Sequence, residues 1–130
     1  MKKIILAMAL ILALSIPAWG SNTVTTANDA DGKLVAICIT PDGSTAWDSS
    51  STYASGLSVA YILFCPSAAA DRLVFRLNSD TGAEILRTTV DTTASQVLYV
   101  PNRRLKLYLK QTTDCNFGTP ANVRIIIVLK

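Results

Sequence analysis

The sequence predicts an all-β fold: a single antiparallel β-sandwich, or jelly-roll-like domain, of about seven to eight strands following a cleaved leader. Three observations carry the prediction. Past residue 20, apolar residues fall in short blocks that alternate or run continuously, as strands do. Clusters of Pro, Gly, Asn, Asp and Ser separate the blocks, supplying turn chemistry between them. No block repeats with the 3.6-residue period of a helix.

Met1, Lys2 and Lys3 precede an apolar run from Ile4 to Leu14, and Ser15, Ile16 and Pro17 lead to Ala18, Trp19 and Gly20. A basic start, a short apolar segment and small residues at the last and third-last positions describe a secretory signal peptide cut after Gly20. The apolar run is shorter than the roughly 20 residues that span a bilayer, and Pro17 interrupts it, so a membrane anchor is the poorer reading. The chain is then organised as a leader at 1–20, a flexible polar segment at 21–33 and a sandwich domain at 34–130. Export implies a secreted, periplasmic or cell-surface protein that is not embedded in the membrane.

The strands follow in order. Leu34 to Thr40 is apolar on both faces and stops at Pro41, Asp42 and Gly43, a turn in which Pro presets one dihedral and Gly accepts a left-handed one. Ser44 to Gly56 is rich in Ser and Thr with Trp47 and Tyr53 as anchors, and reads as a surface loop or a short edge strand plus loop. Leu57 to Cys65 is again apolar on both faces, so it belongs at the centre of its sheet or under a cover. Arg72 to Asn78 alternates, with Leu73, Phe75 and Leu77 inward and Arg72, Val74 and Arg76 outward. Asn78 to Gly82 turns the chain into Glu84 to Val90, the second arm of a hairpin. Gln96 to Val100 leads to Arg103–Lys110, where Leu105, Leu107 and Leu109 face one way and Arg104, Lys106, Tyr108 and Lys110 the other. Val123 to Leu129 is almost uniformly apolar.

Composition limits the chemistry. Half of the 130 residues are hydrophobic, 16% are charged and the formal net charge is +3. Lys2 and Lys3 leave with the leader, so ten bases then face nine acids, a net of +1. Between Ser21 and Asp71 one lysine faces five aspartates, and beyond that nine basic residues face four acidic ones, so the two halves differ in sign. Histidine is absent, which removes the common Ser and Cys triads. Glu84 is the only glutamate and the aspartates lie in turns, so catalysis is not expected; a secreted hydrolase with a facing carboxylate pair is the remaining enzymatic alternative. No cofactor or metal site is expected. Asp29 to Gly32 resembles part of a calcium loop, but Ala27 and Cys38 stand where its first and last ligands belong, so a turn is favoured.

Three cysteines lie in the exported part, where disulfides persist. Strand-end positions favour Cys65 with Cys115, Cys38 with Cys65 being the alternative, and Cys38 reads as a small buried hydrophobe. The candidate binding residues are Arg104, Lys106, Tyr108 and Lys110, joined by Arg72 and Arg76 if the strands share a sheet and by Trp47 in its loop. They make a basic surface for a polyanion or glycan, without sequence-specific nucleic-acid recognition. The competing reading is a solvated face whose charges block edge-to-edge pairing. A second candidate is self-association into a homo-oligomer through surplus apolar side chains, Ile37, Ile62, Phe64, Ile126 and Val128 among them.

Two stretches carry a resemblance: Asp71-Arg72-Leu73-Val74-Phe75-Arg76 after Pro66-Ser67-Ala68-Ala69, and Asp114-Cys115-Asn116-Phe117-Gly118-Thr119-Pro120-Ala121 before the last strand. Over about its last half the chain resembles small all-β structural proteins of phages and prophages, of capsid-decoration or tail-accessory type. The resemblance implies an oligomeric structural role with no catalytic residues to carry over. The expected function is that of an exported, non-catalytic β-sandwich acting by self-assembly or surface binding.

Overall fold

A computed structural model describes residues 21–49, 53, 56–100 and 104–130. Nine strands make two antiparallel sheets, and the described residues contain no α-helix. The strands are β1 (Thr23–Asn28), β2 (Leu34–Thr40), β3 (Trp47–Asp48), β4 (Val59–Cys65), β5 (Arg72–Leu77), β6 (Glu84–Thr89), β7 (Gln96–Leu98), β8 (Leu107–Leu109) and β9 (Arg124–Leu129). One sheet has the order β1-β2-β9-β4-β7 and the other β3-β8-β5-β6. The expected all-β sandwich is therefore present; β3 is the short edge strand weighed for Ser44 to Gly56, and β1 is the strand beyond the expected count.

The order of the five-stranded sheet follows from its sequence. The blocks that are apolar on both faces, β2, β9 and β4, are its three central strands. Polar β1 and short β7 take the edges, where a strand needs a partner on one side alone. Residues 21–33, expected to be flexible, instead supply β1 and its turn. β1 pairs antiparallel with β2 from Thr23 opposite Thr40 to Ala27 opposite Ala36. β-branched Thr23, Thr25 and Thr26 suit this half-covered strand, which explains why a polar composition still yields regular structure. The Asp29 carboxylate accepts N–H groups from Asp31 and Lys33, and Gly32 turns at φ +81°, closing the hairpin.

The core lies between the sheets. Ile37, Ile39, Ile62, Phe64, Ile125 and Ile127 from the five-stranded sheet meet Trp47, Leu73, Phe75, Leu107 and Leu109 from the other side, and Leu105 joins the same core. The three leucines of Arg103–Lys110 point inward as expected, but the regular strand is shorter than expected. Arg104 bridges Ser58 at the start of β4, and the Leu105 N–H donates to the Leu57 carbonyl, so this part belongs with the five-stranded sheet. By Leu107 the chain pairs with β5 in the other sheet. At the crossing, Ser49 is fully buried: its hydroxyl donates to the Leu105 carbonyl and accepts the Leu107 N–H, replacing the missing ladder contact.

Asp71 pins the loops at one end. It is 1% exposed, and its carboxylate accepts the Ser67 N–H, the Ser67 hydroxyl, the Ala68 N–H and the Gly118 N–H. Burial pushes its pKa up, but these four donors outweigh burial and hold it below the ordinary carboxylate value. Asn116 forms a bridge with Arg72, and the Thr119 N–H donates to the Ser67 hydroxyl. Gly118 must be small here, since a Cβ would stand 3.0 Å from that of Ala68.

Candidate functional site

The sandwich presents two outer faces, and of the predicted binding residues Arg72, Arg76, Lys106, Tyr108 and Lys110 fall on one of them, whereas Arg104 and Trp47 do not. On the four-stranded sheet, Tyr108 lies opposite both Arg76 and Asp48, and Arg72 and Arg76 project from the neighbouring strand. Acids are interleaved among these bases. Arg76 Nε meets Asp114 Oδ2 at 2.5 Å and Arg76 Nη2 meets Oδ1 at 3.0 Å, a bidentate pair. Arg87 grips Glu84 through Nε at 2.9 Å and Nη2 at 2.6 Å, and Arg72 Nε donates to the Asp114 carbonyl. The hydrogen bonds from Arg76 outweigh burial and hold the Asp114 carboxyl below its ordinary value; Arg87 does the same for Glu84. Both arginines are bound inside the fold's own network.

Arg104 does not join this ladder, because the chain changes sheet after it. Lys106, Tyr108 and Lys110 remain together on the face, each half-buried. Trp47 is 8% exposed, packed edge-on against Phe75 and tilted against Tyr53, so its ring belongs to the core. The expected bridge between Cys65 and Cys115 is not formed, and the described residues contain no disulfide. Cys65 follows inward-facing Phe64 on β4 and so points away from the core, whereas Cys115 packs against the core from the other sheet with its thiol 3.7 Å from the Val74 carbonyl. Burial pushes the Cys115 thiol up to about 11, so it is a poor nucleophile at neutral pH. The described residues hold no cluster of metal-ligating side chains, and none of their helices is long and apolar enough to cross a membrane.

The other face has the opposite chemistry. Ala27, Ala36, Cys38, Ile126 and Val128 form a second apolar cluster on the outside of the five-stranded sheet, bordered by Val35, Ala60, Tyr61 and Leu63. The rows are continuous across the strands: Thr25, Cys38, Ile126, Leu63 and Val97 in one, and Ala27, Ala36, Val128 and Tyr61 in the next. Irregular register at Ala27/Asn28 and at Val59/Tyr61 lets Val35 and Ala60 turn outward beside their neighbours, which widens the apolar area. At the β7 edge Val97 is 51% exposed and Tyr99 72% exposed. Of the surplus side chains named from the sequence, Ile126 and Val128 belong here, while Ile37, Ile62 and Phe64 belong to the inter-sheet core. A β9 that is apolar on both faces, broken outward by Arg124 alone, signals this face; its register with β2 and β4 does not follow from the sequence.

No family model, curated protein or solved structure matches the chain.

Proposed function

We propose that this chain is an exported, non-catalytic β-sandwich that works by assembly, copies of it associating through the outer face of the five-stranded sheet. The observation that carries the reading is the uncharged apolar patch centred on Cys38, Ile126, Val128 and Leu63 and running out to exposed Val97 and Tyr99. Such a patch is self-complementary, which suits a two-fold contact between copies. Five strands at roughly 4.8 Å spacing give a face about 20 Å wide, and two such faces together bury on the order of 1,000 Å², the lower bound of a specific interface. The leader read in residues 1–20 places the assembly in the periplasm, at the cell surface or outside the cell. The phage-like resemblance points to the same class, an oligomeric structural protein.

The polyanion alternative draws less support, since Asp114, Glu84 and Asp48 interrupt the basic ladder. A hydrolase draws less still, with Asp71 and Asp114 both engaged in structural contacts. Light scattering on the chain from Ser21 to Lys130 tests the assembly. A dimer or larger species is expected, reduced to monomer by Ile126→Lys or Val97→Glu. A strict monomer at high concentration overturns the reading.

A further inference from the structure

The start of the first strand is tied to distant parts of the chain by one side chain. Asn22 directly precedes β1, an edge strand of the five-stranded sheet, and no strand lies beyond β1 among the described residues. The Asn22 amide reaches the turn that follows β2. Its Nδ2 donates to the Thr45 carbonyl at 2.9 Å, and its Oδ1 accepts the Asp42 N–H at 3.1 Å. Gln111, in the turn after β8, completes the arrangement: its Nε2 donates to Asn22 Oδ1 at 2.6 Å and to the Thr45 carbonyl at 2.5 Å, and its Oε1 accepts the Gly43 N–H at 2.7 Å. The receiving turn is fixed by its own contacts. The Asp42 carboxylate accepts the Ser44 N–H at 2.8 Å and the Thr45 N–H at 2.7 Å, while Gly43 turns at φ +89° where a Cβ would stand 3.1 Å from Pro120 Cγ.

We infer that Asn22 is a latch and β1 a guard strand: while the amide is engaged β1 covers the edge of β2, and when it lets go β1 opens alone, leaving the rest of the sandwich folded. The inference stands apart from the assembly reading. Three arguments carry it. The first is pairing. β1 is joined to the sheet through β2 alone, and a strand pair without further support is marginal in water. The second is packing. Ala27 is the one β1 residue in either apolar cluster, and Val24 is 36% exposed, so side-chain burial does little to hold the strand. The third is chemistry. A primary amide offers one donor and one acceptor, and the turn offers Asn22 the matching pair, the Asp42 N–H and the Thr45 carbonyl, with Gln111 as a second donor. Opening β1 bares the backbone N–H and C=O groups along Leu34–Thr40, a strand apolar on both faces and the kind of edge that pairs with other chains.

Amide hydrogen exchange of the purified protein, resolved by strand with mass spectrometry, tests the latch. In Asn22→Ala, peptides covering Thr23–Asn28 should exchange at least about tenfold faster than in the parent chain. Peptides covering β5 and β9 should keep their rates. Gln111→Glu, which keeps the acceptor for Gly43 and loses the donor to Asn22, should speed β1 in the same way. Combining it with Asn22→Ala should add little, since both changes act through one amide. An unchanged β1 rate in Asn22→Ala overturns the inference. So does equal acceleration of β1 and β9, which would make Asn22 a contributor to the stability of the whole sandwich, and so does full additivity of the two substitutions. Should Gln111→Glu fail to fold, the contrast between β1 and β9 in Asn22→Ala decides the matter by itself.

Discussion

The two outer faces are built on sheets that share one core, and they solve opposite problems. On the four-stranded sheet, charges are placed so that the arginines have a neighbouring acid or carbonyl, as Arg76 has Asp114, Arg87 has Glu84 and Arg72 has the Asp114 carbonyl, and the face is suited to water. On the five-stranded sheet the central strands carry Ala36, Cys38, Leu63, Ile126 and Val128 outward, and water is the wrong neighbour for them. The difference shows that burial on one side of a strand says nothing about the other side. β9 is apolar twice over, and only one of its faces is answered by the opposing sheet.

The comparison is broken most directly along β9 itself. Ile125 points into the core and Ile126 outward, both fully buried. Ile125→Ala should cost about 2 to 5 kcal/mol in denaturant unfolding whatever form of the chain is used. Ile126→Ala should cost as much only where the outer face is covered, and under about 1 kcal/mol in the dilute chain from Ser21. Equal losses there would make the outer face a second core.

A loop anchor comes next. Asp71→Ala leaves the N–H groups of Ser67, Ala68 and Gly118 without their acceptor and should cost about 3 kcal/mol, with Asp71→Asn retaining part of it. The sign of the pH dependence follows from the shifts. Asp71 and Asp114 have folded-state values below 3.8, so their contribution is fully present above the unfolded value and is lost as pH falls through the folded one. Thermal melts should therefore be flat from neutral pH to about pH 5 and fall steeply below pH 4, with the Asp71→Asn variant losing less over the same interval.

Smaller effects separate the faces by reactivity and charge. With a pKa of about 11, Cys115 should label more slowly than Cys65 at pH 8, read by mass spectrometry of the modified peptides. Lys106→Glu with Lys110→Glu should change stability by no more than about 0.5 kcal/mol and leave the mass of the assembly unchanged. Retention on an immobilised polyanion that depends steeply on salt and vanishes in this double variant would instead give the charged face a ligand.

Most of the fold was legible because the strands announce themselves locally. Pro41-Asp42-Gly43 and Asn78–Gly82 mark turns, and the alternation of Leu73, Phe75, Leu107 and Leu109 marks an inward face. β1 was hidden because threonine-rich strands at an edge look like loops in composition, and their regularity comes from pairing with β2 across the Asp29–Gly32 turn. Trp47, read as an anchor of a polar loop or short edge strand, has its ring carried inward by the pairing with Leu109, which composition alone does not show. The cysteines misled because strand-end positions do not reveal which sheet, or which side of it, each one joins. The apolar character of Ile126 and Val128 was plain in the sequence. That they share a face with Cys38 and Leu63 depends on register, which only the assembled sheet supplies.

The place of β9 between β2 and β4 has a consequence for the order in which the sandwich can be made. Every other strand precedes Arg124–Leu129, so a chain emerging from a ribosome or crossing a membrane from its beginning holds β1-β2 and β4-β7 as two separate hairpin-like halves. The five-stranded sheet closes only when β9 slides between them, a pairing that spans most of the domain in sequence and is correspondingly slow to form. Until that moment the two halves stay apart, and the last strand to be made is the one that joins them.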